Sequence, residues 1–340
     1  MAAPSMEQVA NILEVRELRK WYPVRRGLLA SLVGGRAKHV KAVDGVSFSL
    51  KPGEVLGLAG ESGCGKSTTG MTVLNLHAPS SGQILFQGRD VAQRTDRAGR
   101  RLFRRQAQIV FQNPYESLNP RFTVAQSVRE PIAIHFRESR ANQRERLVRA
   151  MEQAGLMPVE NFLDRYPHQL SGGQLQRIAI ARAVAVEPRF LVADEPVSML
   201  DVSIRAGILN LLRRFADRLH MAILYISHDL STMRHVCSRV AIMYLGRIVE
   251  IGPAEEVLDR PAHPYAQALM AAVPAMGARK RQRIELSGAL PNPIDIPSGC
   301  RFHPRCPHVM AICRESEPAL VELGSGRAAA CHLHTGHTRH

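Results

Sequence analysis

Val55-Leu-Gly-Leu-Ala-Gly60-Glu-Ser-Gly-Cys-Gly65-Lys-Ser67 sets an apolar pentapeptide directly before a glycine-rich loop that ends in a lysine and a hydroxyl. The pentapeptide has the length of one buried strand and no polar alternation, as in a parallel sheet covered on both faces. The loop fits G-x-x-x-x-G-K-[ST] without a mismatch. In that pattern glycines let successive backbone N–H groups curl round phosphates. A helix, predicted here from Gly65 to about His77, then aims its positive end at them. Lys66 can reach the β/γ-phosphates and Ser67 can ligate Mg²⁺.

Working outward, residues 12–19 and 40–50 read as strands with apolar alternation, separated by a basic loop over 24–38. A short strand is predicted at 108–111. Residues 123–187 carry helical spacing, with breaks predicted near Pro131, Pro158 and Pro167. Apolar runs at 190–193 and 222–226 flank a helix predicted over 205–219. Strand, helix and strand in this order predict an α/β core with a helical insertion. From Pro261 onward Pro, His and Cys rise and periodicity fades, which predicts a boundary near residue 260.

The run at 190–193 ends in Asp194-Glu195, two carboxylates at the strand end where open α/β sheets bind ligands. Asp194 is expected to hold Mg²⁺ through water, and Glu195 to polarise the attacking water as general base. Leu170-Ser171-Gly172-Gly173-Gln174 supplies a second anion-binding helix start, and Gln174 precedes Asp194 by 20 residues.

With these motifs the chain resembles ABC ATPases. The resemblance implies a P-loop core with a parallel sheet, an antiparallel β subdomain, a helical insertion and a small Cys-containing C-terminal extension. It implies ATP and Mg²⁺ as cofactors. It assigns ATP binding to Tyr22, Gly60, Glu61, Ser62, Gly63, Cys64, Gly65, Lys66, Ser67 and Thr68, with Trp21 as the alternative adenine stacker. Ser67, Gln112 and Asp194 would serve Mg²⁺. Lys66, Gln112, Glu195 and His228 would carry the catalysis. Ser171, Gly172, Gly173 and Gln174 would complete the site of a partner ATPase, and Asp201 matches the D-loop, where Met199 replaces a usual small residue.

The resemblance sharpens over Trp21-Tyr-Pro-Val-Arg-Arg-Gly, over Phe111-Gln-Asn-Pro-Tyr-Glu-Ser-Leu-Asn-Pro-Arg121 and over Arg260-Pro-Ala-His-Pro-Tyr-Ala-Gln-Ala-Leu269. These look like the dipeptide and oligopeptide importer ATPases, especially the "F" partner of two-ATPase systems. That implies a nucleotide-binding domain over 12–260, a helical subdomain at about 113–180 and an importer extension over 261–340. It implies as partners a second ATPase (a paralogue or a second copy), two membrane permeases and a periplasmic or extracellular solute-binding protein. The implied location is the cytoplasmic face of the inner membrane. The same subfamily resemblance leaves nickel or glutathione open as cargo. A soluble ABC ATPase acting on DNA or ribosomes is a rival reading, disfavoured because such proteins usually carry two ATPase units or a large insertion.

At 340 residues the chain accommodates one large domain with an appendage, or two small domains. No window approaches the ~20 apolar residues of a membrane helix, and residues 1–10 lack the pattern of a signal peptide. The net charge of +15 is spread along the chain, apart from the dense run at 97–105. A solvated surface beside an anionic leaflet accounts for it, and nucleic acid is not expected as a partner. Four of the six cysteines, Cys300, Cys306, Cys313 and Cys331, fall in the tail. Their spacing lacks the C-x₂-C to C-x₄-C pair of most zinc sites. Four thiolates can hold an iron–sulfur cluster, and the importer resemblance implies a [4Fe–4S] cluster here. Zinc and unligated thiols are the alternatives.

Overall fold

The computed structural model describes residues 10–24, 38–93, 96–272 and 292–335. The predicted loop at 24–38 and the Arg-Arg-Gly after Val24 lie largely outside them. Strands β1 (Leu13–Pro23), β2 (His39–Leu50) and β3 (Val55–Ala59) lead into α1 (Lys66–Val73). They are followed by β4 (Ser81–Phe86), β5 (Arg89–Asp90), α2 (Arg97–Gln106) and β6 (Ala107–Val110). Helices α3 (Val124–His135), α4 (Arg140–Gln153), α5 (Glu160–Leu163) and α6 (Gly172–Val184) form the insertion. Then come β7 (Phe190–Asp194), α7 (Val202–Leu219), β8 (Ala222–Ile226), α8 (Leu230–Val236), β9 (Arg239–Tyr244) and β10 (Arg247–Pro253). The last elements are α9 (Ala254–Asp259), α10 (Pro264–Ala272), α11 (Ala311–Glu315), β11 (Val321–Gly324) and β12 (Arg327–Ala329).

The chain divides into two compact units. The first draws on the segment ending at Glu14, on Phe48–Val55 and on Ile84–Tyr225. Its strands run in the order β8-β7-β6. β6 and β7 are parallel, with Val110 opposite Ala193. Every residue of β7 and β8 is buried, which is why these strands read as unbroken apolar runs. Helices α3, α4 and α6 pack on one another, and α6 covers β6.

The helix break predicted near Pro131 is corrected. Pro131 is buried inside α3, which starts at a capping box between Thr123 and Gln126. The proline removes one ladder bond, and packing of its ring in the helical layer outweighs that local penalty. Pro158 falls between α4 and α5, and Pro167 opens a 3₁₀ turn, as the spacing predicts.

The second unit holds Val15–Ser47, Leu56–Gln83 and the segment from Ile226 onward. Its strands run β11-β12-β10-β9-β3. β3 and β9 are parallel, with Ala59 opposite Ile242, while β9, β10, β12 and β11 pair antiparallel in succession. Glu250 faces Ala329 across the β10–β12 pair. The chain's last strands therefore belong to the same sheet as the strand that feeds the glycine-rich loop. Within this unit β1 also lies beside β2.

Candidate functional site

In the second unit the loop after β3 is held by close backbone approach. A Cβ on Gly60 would lie 2.2 Å from the Met243 carbonyl oxygen, and one on Gly65 would lie 2.0 Å from that of Ala42. Lys66 is buried, and its Nζ donates to the carbonyls of Gly60 (2.8 Å) and Glu61 (2.9 Å). The ammonium is thus stored against the loop it would leave to meet a phosphate. Ser62, Gly63 and Ser67 are exposed. Burial pushes the Cys64 thiol up, so this side chain is packing rather than nucleophile.

The Tyr22 hydroxyl meets His77 Nδ1 at 2.7 Å, and the two rings sit edge to face. Burial raises the Tyr22 phenol, opposed by a hydrogen bond with Thr68 in the first turn of α1. Trp21 instead donates Nε1–H to Asp44 Oδ1 (3.1 Å), and Lys41 covers its ring. Ser227 N–H donates to Leu58 O (3.3 Å), which carries the exposed His228 past the end of β3.

In the first unit the parallel pair β6–β7 delivers Gln112 and the Asp194-Glu195 pair to neighbouring strand ends. Asp194 is buried. Glu195 takes a left-handed φ of 45°, and its carbonyl accepts from both N–H and Oγ of Ser198. Such backbone outliers in non-glycine residues cluster at functional sites. Ser171 caps α6 by accepting from Gln174 N–H (3.3 Å), while Gln174 Oε1 accepts from Ser171 N–H (3.0 Å). Gly173 lets α6 close on α7, since a Cβ there would lie 2.7 Å from Ile204 Cγ2. Exposed Asp201 begins α7. Gln112, Tyr115, Leu170, Leu175, Met199 and Leu200 line one groove. Met199 is 64% exposed, so its bulk meets little in this unit.

The iron–sulfur and zinc expectation for Cys300, Cys306, Cys313 and Cys331 is overturned. Among the described residues no group of three or more His, Cys, Asp or Glu side chains is placed to hold a metal ion. The four thiols share the lining of one cavity with His263 and His332 without converging into a ligand set. Burial pushes Cys300 up to about 11 and also raises Cys306 and Cys331, which favours neutral thiols in a packed core.

Two contacts of the tail with the glycine-rich loop are absent from the sequence reading. Tyr265 Oη accepts from Glu61 N–H (2.9 Å), and Arg305 grips the Glu61 carboxylate with both terminal nitrogens (2.8 and 3.1 Å). Tyr265 is positioned by His263, whose Nδ1 accepts from Tyr265 N–H (3.0 Å). Burial pushes the His263 imidazole down to about 3, with a smaller contribution from His334. A folded-state value below the unfolded one means stability is complete above about pH 6.5 and is lost as pH falls towards 3. Between pH 7 and pH 5 the wild type is expected to lose about 2 kcal/mol more than His263→Asn. Urea melts of both proteins at the two pH values check this, and equal losses would remove His263 as the cause.

No helix among the described residues is long and apolar enough to cross a membrane. Residues 43–198 match the family described as ABC transporter, and residues 249–313 match that described as oligopeptide/dipeptide transporter, C-terminal region. The chain is 46% identical to the oligopeptide transport ATP-binding protein AppF of Bacillus subtilis, over 96% of this chain and 98% of that one. It is 45% identical to the di/tripeptide transport ATP-binding protein DppF of Pseudomonas aeruginosa, over 95% and 97% of the two chains. Among solved structures, the dimeric ATP-binding cassette MJ0796 bound to ADP and Pi superposes with a TM-score of 0.61 at 26% identity. That match covers 71% of this chain and 98% of that one. CbiO1 from Clostridium perfringens gives 0.61 at 30% identity, covering 74% and 91%.

Proposed function

Because the chain belongs to the ABC transporter ATP-binding family, in its oligopeptide/dipeptide branch, we infer that it hydrolyses ATP to power import of di- and oligopeptides. One observation carries the reading: similarity runs through nearly the whole chain, including the C-terminal region special to peptide transporters. The nucleotide-binding domain spans 12–260, its helical subdomain about 113–180, and the importer extension 261–340. The protein sits peripherally at the cytoplasmic face of the inner membrane. There it pairs with a second ATPase, a paralogue or a second copy, and with two permeases served by a solute-binding protein.

Each side chain has one task in this reading. Lys66 leaves the Gly60 and Glu61 carbonyls for the β/γ-phosphates, and Tyr22 stacks on adenine. Ser67 and Asp194 present hard oxygen donors, the chemistry Mg²⁺ selects, with Gln112 as a further contact. Bound Mg²⁺ shields phosphate charge. Glu195 takes a proton from the attacking water, and His228 steadies the γ-phosphate end. Ser171, Gly172, Gly173 and Gln174 offer a helix N-terminus to the nucleotide of the partner ATPase, and Asp201 lies on the joining face.

Purifying the full chain from its native membrane in mild detergent tests the reading. Two permeases and a second ATPase should accompany it, and ATPase activity should rise when peptide-loaded binding protein is added. Ribosomal proteins or DNA, with no membrane partner, would overturn the transport assignment.

A further inference from the structure

Glu61 is the one acidic residue of the loop from Gly60 to Ser67. A carboxylate there has the same sign as the phosphates the loop is built to take, and left unpaired it would repel them. Lys66 does not offset it, since its ammonium goes to two backbone carbonyls. The counter-charge comes from the tail. The Arg305 side chain is only 7% exposed and binds the Glu61 carboxylate in the bidentate geometry that gives arginine its strongest pairs. That bond, set against burial, holds the guanidinium well above its ordinary range.

The same residue of the loop is held a second time. Tyr265 takes the Glu61 N–H, so this donor is spent on the tail. The Tyr265 ring is fully buried and packs against Tyr244 (centroids 4.6 Å) and Phe302 (5.4 Å). Phe302 and Arg305 are joined by the 3₁₀ turn His303–Arg305, so one aromatic cluster sets both grips. Beside it, Arg301 pairs with Asp44, donates Nη1–H to Leu245 O (2.6 Å) and reaches Glu317 (2.9 Å). Asp44 in turn accepts the Trp21 indole N–H. Burial works against the Asp44 charge, yet Arg301 holds its carboxyl below the usual carboxylate range. The tail is thus fastened by one buried ion pair, Arg301–Asp44, which breaks at high cost when one partner is removed, and by the partly exposed Arg305–Glu61 pair.

We propose that Arg305, with Tyr265, is a positioning residue for nucleotide binding: the C-terminal extension neutralises and fixes Glu61, and the phosphate loop takes ATP at full affinity only while that clamp is closed. This rests on the nucleotide reading above. The clamp acts on affinity rather than on the chemical step, because neither residue belongs to the water-activating set.

The test uses the full chain, titrated with MgATP in a calorimeter and followed in steady-state hydrolysis, with thermal melts alongside. Arg305→Ala should weaken MgATP binding about tenfold and raise KM in step, with kcat within about twofold. Arg305→Lys should recover part of the loss, because it keeps the charge and forfeits the fork. Arg305→Ala combined with Glu61→Gln should recover most of it, since no unpaired carboxylate remains. Wild-type affinity in Arg305→Ala would overturn the proposal. A double variant as weak as Arg305→Ala would overturn it too, by assigning the loss to tail packing. If the unmodified protein failed to bind MgATP, the nucleotide reading would fall first and the clamp with it.

Discussion

Glu195→Gln is expected to slow ATP turnover about a thousandfold while leaving nucleotide bound, the scale associated with loss of a general base. The change is nearly isosteric. It keeps two hydrogen-bonding atoms at the strand end and removes only the ability to accept a proton. The backbone there should hold its left-handed conformation, because its fixing contacts are to the Glu195 carbonyl, from the N–H and hydroxyl of Ser198. Affinity should therefore survive and the closed, ATP-bound assembly should accumulate. Phosphate release and retained radiolabelled ATP, measured on one sample, check both halves. Turnover at the ordinary rate would remove Glu195 from its role.

Gly65→Ala is expected to destabilise the second unit by about 3–5 kcal/mol and to abolish nucleotide binding in whatever folds. Two penalties combine. Gly65 has φ of 110°, which side-chain-bearing residues rarely adopt, and the added methyl would sit 2.0 Å from the Ala42 carbonyl oxygen. The nearest relief is movement of backbone, since Gly65 caps α1 and Lys66 follows at once. Denaturant midpoints together with MgATP titration check this. A midpoint within experimental error of the wild type would mean that β2 yields more readily than its packing implies.

Legibility in the sequence followed the range of the interactions. β3 and β8 are found at the predicted bounds, because a strand buried on both faces leaves an unbroken apolar run. α1 is shorter than the prediction from Gly65 to about His77. It stops at Val73, and Asn75 turns into the left-handed region just beyond. Pro131 was misleading because a local penalty is visible in sequence and the packing that outweighs it is not. The glycine-rich turn into α1, the acidic pair at the end of β7 and the capped start of α6 were legible as local structure because each is set by a short run of sequence. Arg305 and Tyr265 were not, since no spacing connects a tail residue to a loop more than two hundred positions earlier. The tail cysteines erred the other way: four thiols near in sequence suggested a metal, and the fold lines a cavity with them instead.

Arg305 reaches Glu61 across 244 residues, and β12 joins the sheet only near the end of the chain. During synthesis the loop leaves the ribosome long before its clamp is made. At roughly 5–20 residues per second the interval is on the order of ten to fifty seconds. Over that time the loop carries an unneutralised carboxylate and the β10 edge lacks its neighbour. A nascent chain of this design is therefore expected to hold ATP more weakly than the finished protein does, and its exposed strand edge is a template for pairing with other chains.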